Sequence, residues 1–138
     1  MRLASKVAFV SGGARGIGAA ITTLFAEHGA SVTFTDTLDQ EGAQLQSQLQ
    51  KSGLNTLFLP MDVANEMEWN KAIDATVKHF GRLDILVNNA AIRDHSDIEN
   101  TTVEDWDRVM TVNVKGVFLG TKIAIPAMRK SDGGSIIN

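Results

Sequence analysis

The stretch SGGARGIG, Ser11 to Gly18, is half glycine. It lies between an apolar run, Lys6–Val10, and a segment whose apolar residues recur at helical spacing. A strand, a glycine turn and a helix N-terminus in succession make an anion site: unpaired N–H groups and the positive end of the helix dipole converge on one point. Glycine adopts positive φ and lets a phosphate touch the backbone. Gly12, Gly16 and Gly18 give the spacing G-x3-G-x-G. This is not G-x-G-x-x-G, because Ile21 takes the third glycine position, and it is not a P-loop, because no Gly-Lys-Ser/Thr is present. Taken alone, the loop also fits a tight turn whose glycines only pack a helix.

Asp36 adds a second group. It ends the next apolar run, 18 residues after Gly18. That is close to the spacing at which a strand-end carboxylate accepts the ribose hydroxyls of an adenosine. A carboxylate there repels a 2′-phosphate and so favours NAD over NADP. Arg15 argues the other way, since a guanidinium in the loop can pair with that phosphate. A solvated strand-end Asp is the plainer alternative, with Asp39 and Glu41 nearby.

These groups need elements to position them. Lys6–Val10, Ser31–Thr35, Thr56–Pro60 and Leu83–Asn89 hold short, β-branched apolar runs that read as strands, and SIIN (Ser135–Asn138) begins a fifth. Helical periodicity separates them. Ile17, Ala20, Ile21, Leu24 and Phe25 mark the first helix, with Gly29 as its C-cap. Leu38, Gly42, Leu45 and Leu49 mark the second, and Trp69, Ile73, Val77 and Phe80 the third, behind a capping box of Asn65 and Glu68. Thr101 with Glu104 is expected to cap a helix that runs past Asn113 toward Met128, kinked or ended by Pro126. The order βαβαβαβαβ predicts a doubly wound parallel α/β sheet of Rossmann type, one domain over residues 1–138.

Several of these stretches, in this order, resemble the classical short-chain dehydrogenase/reductases. SGGARGIG is similar to the family's T-G-x3-G-x-G, with Ser11 for Thr. MDVAN (Met61–Asn65) resembles the stretch after strand three, and LDILVNNAA the strand-four signature N-N-A-G, with Ala91 replacing the glycine. WDRVMTVNVKGVF (Trp106–Phe118) resembles the helix that carries the catalytic-tetrad Asn, and GGSIIN the strand that leads to the catalytic Ser.

The resemblance implies an NAD(H)-dependent oxidoreductase that interconverts a secondary alcohol and a ketone. It implies cofactor contacts at Gly12, Arg15, Gly16, Ile17 and Gly18 of the loop, and at Asp36 for the ribose. Asp62 and Val63 would meet the adenine, and Asn89, Ala90 and Ala91 would line the site beyond strand four. Asn113 is the implied catalytic residue, at a helix kink whose carbonyl holds a water of the proton relay. Homo-oligomers, tetramers or dimers, built on paired long helices are also implied. An NADPH-dependent 3-oxoacyl reductase shares the same motifs and is the alternative enzyme, against which Asp36 speaks.

Ketone reduction also needs a proton donor and a group that polarises the carbonyl. In the resembled family these come from a Ser after this strand and a Y-x3-K on the next helix. The chain has no tyrosine, and of the tetrad only Asn113 is present. The expectation is therefore the front part of a longer protein, inactive by itself, with a non-catalytic dinucleotide-binding fragment as the rival.

Composition excludes other classes. A net charge of −3 without a basic cluster speaks against nucleic-acid or anionic-membrane binding. With no cysteine there are no disulfides or thiolate metal sites, and His28 and His79 lack partners at metal-ligand spacing. No signal-peptide pattern or membrane-length apolar run is present, which makes a cytoplasmic location the default.

Overall fold

The computed structural model describes residues 1–138. Five parallel strands, β1 (Val7–Ser11), β2 (Ser31–Asp36), β3 (Thr56–Pro60), β4 (Ile85–Val87) and β5 (Ser135–Ile137), form one sheet in the order β3-β2-β1-β4-β5. The helices are α1 (Gly16–Glu27), α2 (Asp39–Lys51), α3 (Glu66–Phe80), α4 (Val103–Met110) and α5 (Gly116–Arg129), the last two joined by a π-helical turn at Thr111–Lys115.

Every residue of β1 is buried, as expected of a central parallel strand covered on both faces. Its side chains alternate between two cores. Ala8 and Val10 face α1 and α2 with Val32, Phe34 and Ala26. Phe9 faces α3 and α5 with Trp69, Leu86, Leu119 and Met128. Phe9 and Trp69 rings lie 5.4 Å apart, and the Trp69 indole N–H donates to the Val63 carbonyl at 2.9 Å. The strand order reverses between β1 and β4, which puts a crevice at the carboxyl ends of those strands.

Some local expectations need correction. Strand β1 is one residue later than Lys6–Val10: Lys6 is exposed, while Ser11 pairs with Thr35. The cap of α4 is Thr102 with Asp105, not Thr101 with Glu104. The Thr101 hydroxyl already donates to the Asp97 carbonyl, and Thr102 Oγ1 accepts the Asp105 N–H at 3.1 Å. Pro126 does not end α5, because Ala124 and Met128 are both buried in the core and hold the last turn on the sheet. Leu38 is not on the α2 stripe but at the cap position before it. The Asn65–Glu68 box is present in altered form: Asn65 Oδ1 accepts from the N–H groups of Met67 and Glu68, while the Glu68 carboxylate reaches the Asp62 N–H and the Asn65 amide.

Candidate active site: the cleft at the carboxyl edge

Helix α1 begins differently from α2, α3 and α4. Its N-cap, Arg15, is extended and offers no side-chain acceptor, and its first turn has no acidic residue. Helices α3 and α4 are capped by Asn65 and Thr102, and α2 opens with Asp39 and Glu41. The first N–H groups of α1 are thus left to an outside acceptor, which the dipole prefers negative.

The glycines of the loop have separate jobs. Gly16 has φ +57°, and a Cβ there would meet nothing within 4 Å, so it opens on free space. Gly12 has φ +65°, and a Cβ there would come within 2.8 Å of the Ala90 Cα. A Cβ on Gly18 would lie 1.9 Å from the Gly12 carbonyl oxygen. Only Gly16 has the geometry of a glycine kept clear for a ligand. Gly12 and Gly18 are needed for the loop to close on itself and on the segment after β4. Gly13, outside the motif, is held against Phe34 in the same way.

Ser11 fastens loop to strand. Its buried hydroxyl oxygen accepts from the N–H groups of Asn89 and Ala90, both at 3.1 Å. The Asn89 amide donates to the Ser11 and Gly12 carbonyls at 3.1 and 2.9 Å. Asp36 closes the other side: its carboxylate accepts from the Ala14 N–H at 3.1 Å and the Leu38 N–H at 3.3 Å. These bonds fix the carboxylate at the end of β2, beside the loop.

The result is a cleft of about 540 Å³. Gly12, Arg15, Gly16, Ile17 and Gly18 form one wall of it, and Asp36, Asp62 and Val63 another. Asn89, Ala90 and Ala91 line it from the segment after β4. All eleven residues singled out in the sequence for a cofactor therefore border the same space. Ala91 is exposed, so the methyl that replaces glycine has room.

Asn113 does not line the cleft. Its side chain clamps the backbone of Ile92, accepting from the Ile92 N–H at 2.9 Å and donating to the Ile92 carbonyl at 2.8 Å. Ile92 does line the cleft. Asn113 sits within the π-helical turn, so the expected kink is a local widening of the helix. Sequence reading missed Thr37, Leu38, Met61, Arg108 and Val112, which also border the cleft. The last two come from α4 and the turn after it, and only tertiary packing brings them near Val63.

Comparison with known proteins gives the family. The family model described as short chain dehydrogenase matches residues 6–138. The chain belongs to the short-chain dehydrogenase family. Among curated relatives, the trans-4-hydroxycyclohexanecarboxylate dehydrogenase of Sinomonas cyclohexanicum is 43% identical over 144 residues, covering 99% of this chain and 55% of the relative. The cyclopentanol dehydrogenase of a Comamonas strain is 41% identical over 137 residues, covering 99% and 55%. A solved short-chain dehydrogenase/reductase double mutant from Serratia marcescens superposes with a TM-score of 0.88 at 39% identity, over 93% of this chain and 53% of that one. The chain thus spans about half the length of the curated short-chain dehydrogenases it matches. No helix of it is long and apolar enough to cross a membrane.

Proposed function

We propose that these residues form the cofactor-binding half of an NAD(H)-dependent oxidoreductase that interconverts a secondary alcohol and a ketone. The observation that carries the reading is Asp36, held at the cleft by two backbone N–H groups beside an uncapped helix N-terminus. The residues fit a dinucleotide. Gly16 leaves open space where a pyrophosphate would approach the first turn of α1, and Asp36 stands where ribose hydroxyls can donate to it. When bound, the dinucleotide supplies the hydride acceptor or donor. The chain's own part is to hold it: loop N–H groups for the phosphates, Asp36 for the ribose, Asp62 and Val63 for the adenine. Asn113 braces Ile92, which lines the cleft, and its place in the π-helical turn suits the carbonyl role implied for it.

Both relatives named above carry a ring-borne secondary alcohol in their names, which favours a small cyclic alcohol as substrate. Trp106, Met110, Val114 and Phe118 recur every fourth residue from α4 into α5 and are exposed. That apolar face supports assembly into a homo-oligomer, dimer or tetramer, through this helix pair.

The test is turnover by the full-length protein with a panel of cyclic and open-chain secondary alcohols. The reading expects NADH to form from NAD at a rate well above NADPH formation from NADP. Arg15, exposed on the same cleft, carries the second reading, an NADPH-dependent 3-oxoacyl reductase. A preference for NADPH and 3-oxoacyl thioesters would establish that reading instead.

A further inference from the structure

We propose that Arg108 is an adenine-recognition residue that closes the outer end of the cleft; this rests on the dinucleotide reading above. Arg108 and Val112 are four positions apart along the helix that packs beside Val63, and both border the cleft. The approach is close, for a Cβ added at Gly116 would lie 2.9 Å from Val63 Cγ2. Val112, Val63 and Met61 give the slot an apolar lining. A flat heteroaromatic ring suits such a slot, and a planar guanidinium at its mouth suits the face of that ring.

The guanidinium has one partner within the chain. Its Nη2 donates to Asp105 Oδ1 at 3.3 Å, and the other oxygen of Asp105 accepts the Thr102 hydroxyl at 2.7 Å. The hydrogen bond from Thr102, then that from Arg108, lower the Asp105 carboxyl below the usual Asp range, so the anchor is charged at neutral pH. Thr102 and Asp105 are themselves fixed as the cap of α4. The α4 cap therefore tethers the arginine one turn above Val112 while leaving it exposed toward the cleft.

The experiment compares NADH with reduced nicotinamide mononucleotide, which lacks the adenosine half, by titration of the full-length protein. Arg108→Ala is expected to weaken NADH by about five-fold, the range of a partly desolvated cation–π contact, and to leave the mononucleotide unchanged. Arg108→Lys is expected to recover only part of the loss, because an ammonium cannot lie flat on the ring. Melting temperature should not change, since the side chain is on the surface. Unchanged NADH binding, or equal weakening of both probes, overturns the role of Arg108. A selective effect on NADPH also overturns it, by making Arg108 a 2′-phosphate contact. Failure of the unaltered protein to bind any dinucleotide overturns instead the reading on which this one rests.

Discussion

At the carboxyl edge of the sheet, α1 starts without a cap, Gly16 faces free space, and Asp36 stands over a cleft. At the amino edge, a single carboxylate gathers in everything near it. Asp84 accepts the Val7 N–H at 2.8 Å and a two-pronged pair from Arg82, at 2.8 and 2.6 Å, with Lys6 at 3.7 Å. Burial by itself would push the Asp84 carboxyl up; the hydrogen bonds from Arg82 and Val7, with the two positive charges, more than reverse this and hold it below the usual Asp value. One edge keeps polar groups unsatisfied within the chain and available to a ligand. The other satisfies them internally and fixes the start of β1 to β4. Fold stability and binding capacity therefore sit at opposite ends of the same strands, and substitutions at the two ends should separate them.

The largest effect is expected where the binding edge also needs its own packing. Gly18→Ala puts a methyl onto the Gly12 carbonyl, 1.9 Å away, against backbone that cannot yield. It should lower stability by about 3 kcal/mol, the upper range for overpacking, and abolish NADH binding. Urea denaturation and titration together check both halves. A stable variant with normal binding would mean that the loop is looser than its geometry implies.

Asp84→Ala should do the reverse. Breaking this buried, charge-assisted cluster should cost about 2 kcal/mol, with NADH affinity unchanged within about two-fold. The pH dependence follows from the sign of the shift. The Asp84 pKa is lower folded than unfolded, so its contribution is fully present above about pH 4, the unfolded value, and is lost as pH falls through the lower folded one. Acid unfolding curves should show a smaller loss of stability below that pH in Asp84→Ala than in the parent protein. Equal losses would remove Asp84 from the account of acid stability.

Asp36→Ser lies between the two edges in character, since its carboxylate both holds the Ala14 and Leu38 N–H groups and faces the cleft. Loss of a charge-assisted hydrogen bond, roughly 1.5–3 kcal/mol, should weaken NADH about ten-fold or more and relax discrimination against NADPH. A drop in melting temperature without any change in cofactor preference would leave Asp36 as a loop brace alone.

The binding edge was more legible in the sequence than the packing that supports it. Apolar β-branched runs separated by helical periodicity locate the strands, because burial on both faces leaves little else such runs can be. Asp36 at a strand end and glycines before a helix could be assigned to one edge from topology alone. The π-helical turn at Asn113 was partly foreshadowed by a poor helix former in mid-helix. Contacts across the fold were not legible. A Cβ on Gly12 would meet Ala90, and one on Gly18 the carbonyl of Gly12; nothing local to either glycine says so. Arg108 borders the cleft from α4, and α5, which follows it, packs against Val63 at Gly116. At Thr101 and Thr102, two adjacent threonines each precede an acidic residue by three positions, and only the turn made by Asp97 decides which one caps the helix.

The open, uncapped helix start beside Asp36 is the proposed seat of NAD(H). The most direct test is calorimetric titration of the full-length protein and its Gly16→Val variant with NADH and NADPH. A Cβ at Gly16 would meet no atom within 4 Å, so the variant should fold, with a strain of about 1–2 kcal/mol from its positive φ. The parent should bind NADH tightly and NADPH more weakly, and the folded variant should bind neither detectably. Normal NADH binding by folded Gly16→Val, or a parent protein that prefers NADPH, would contradict that assignment.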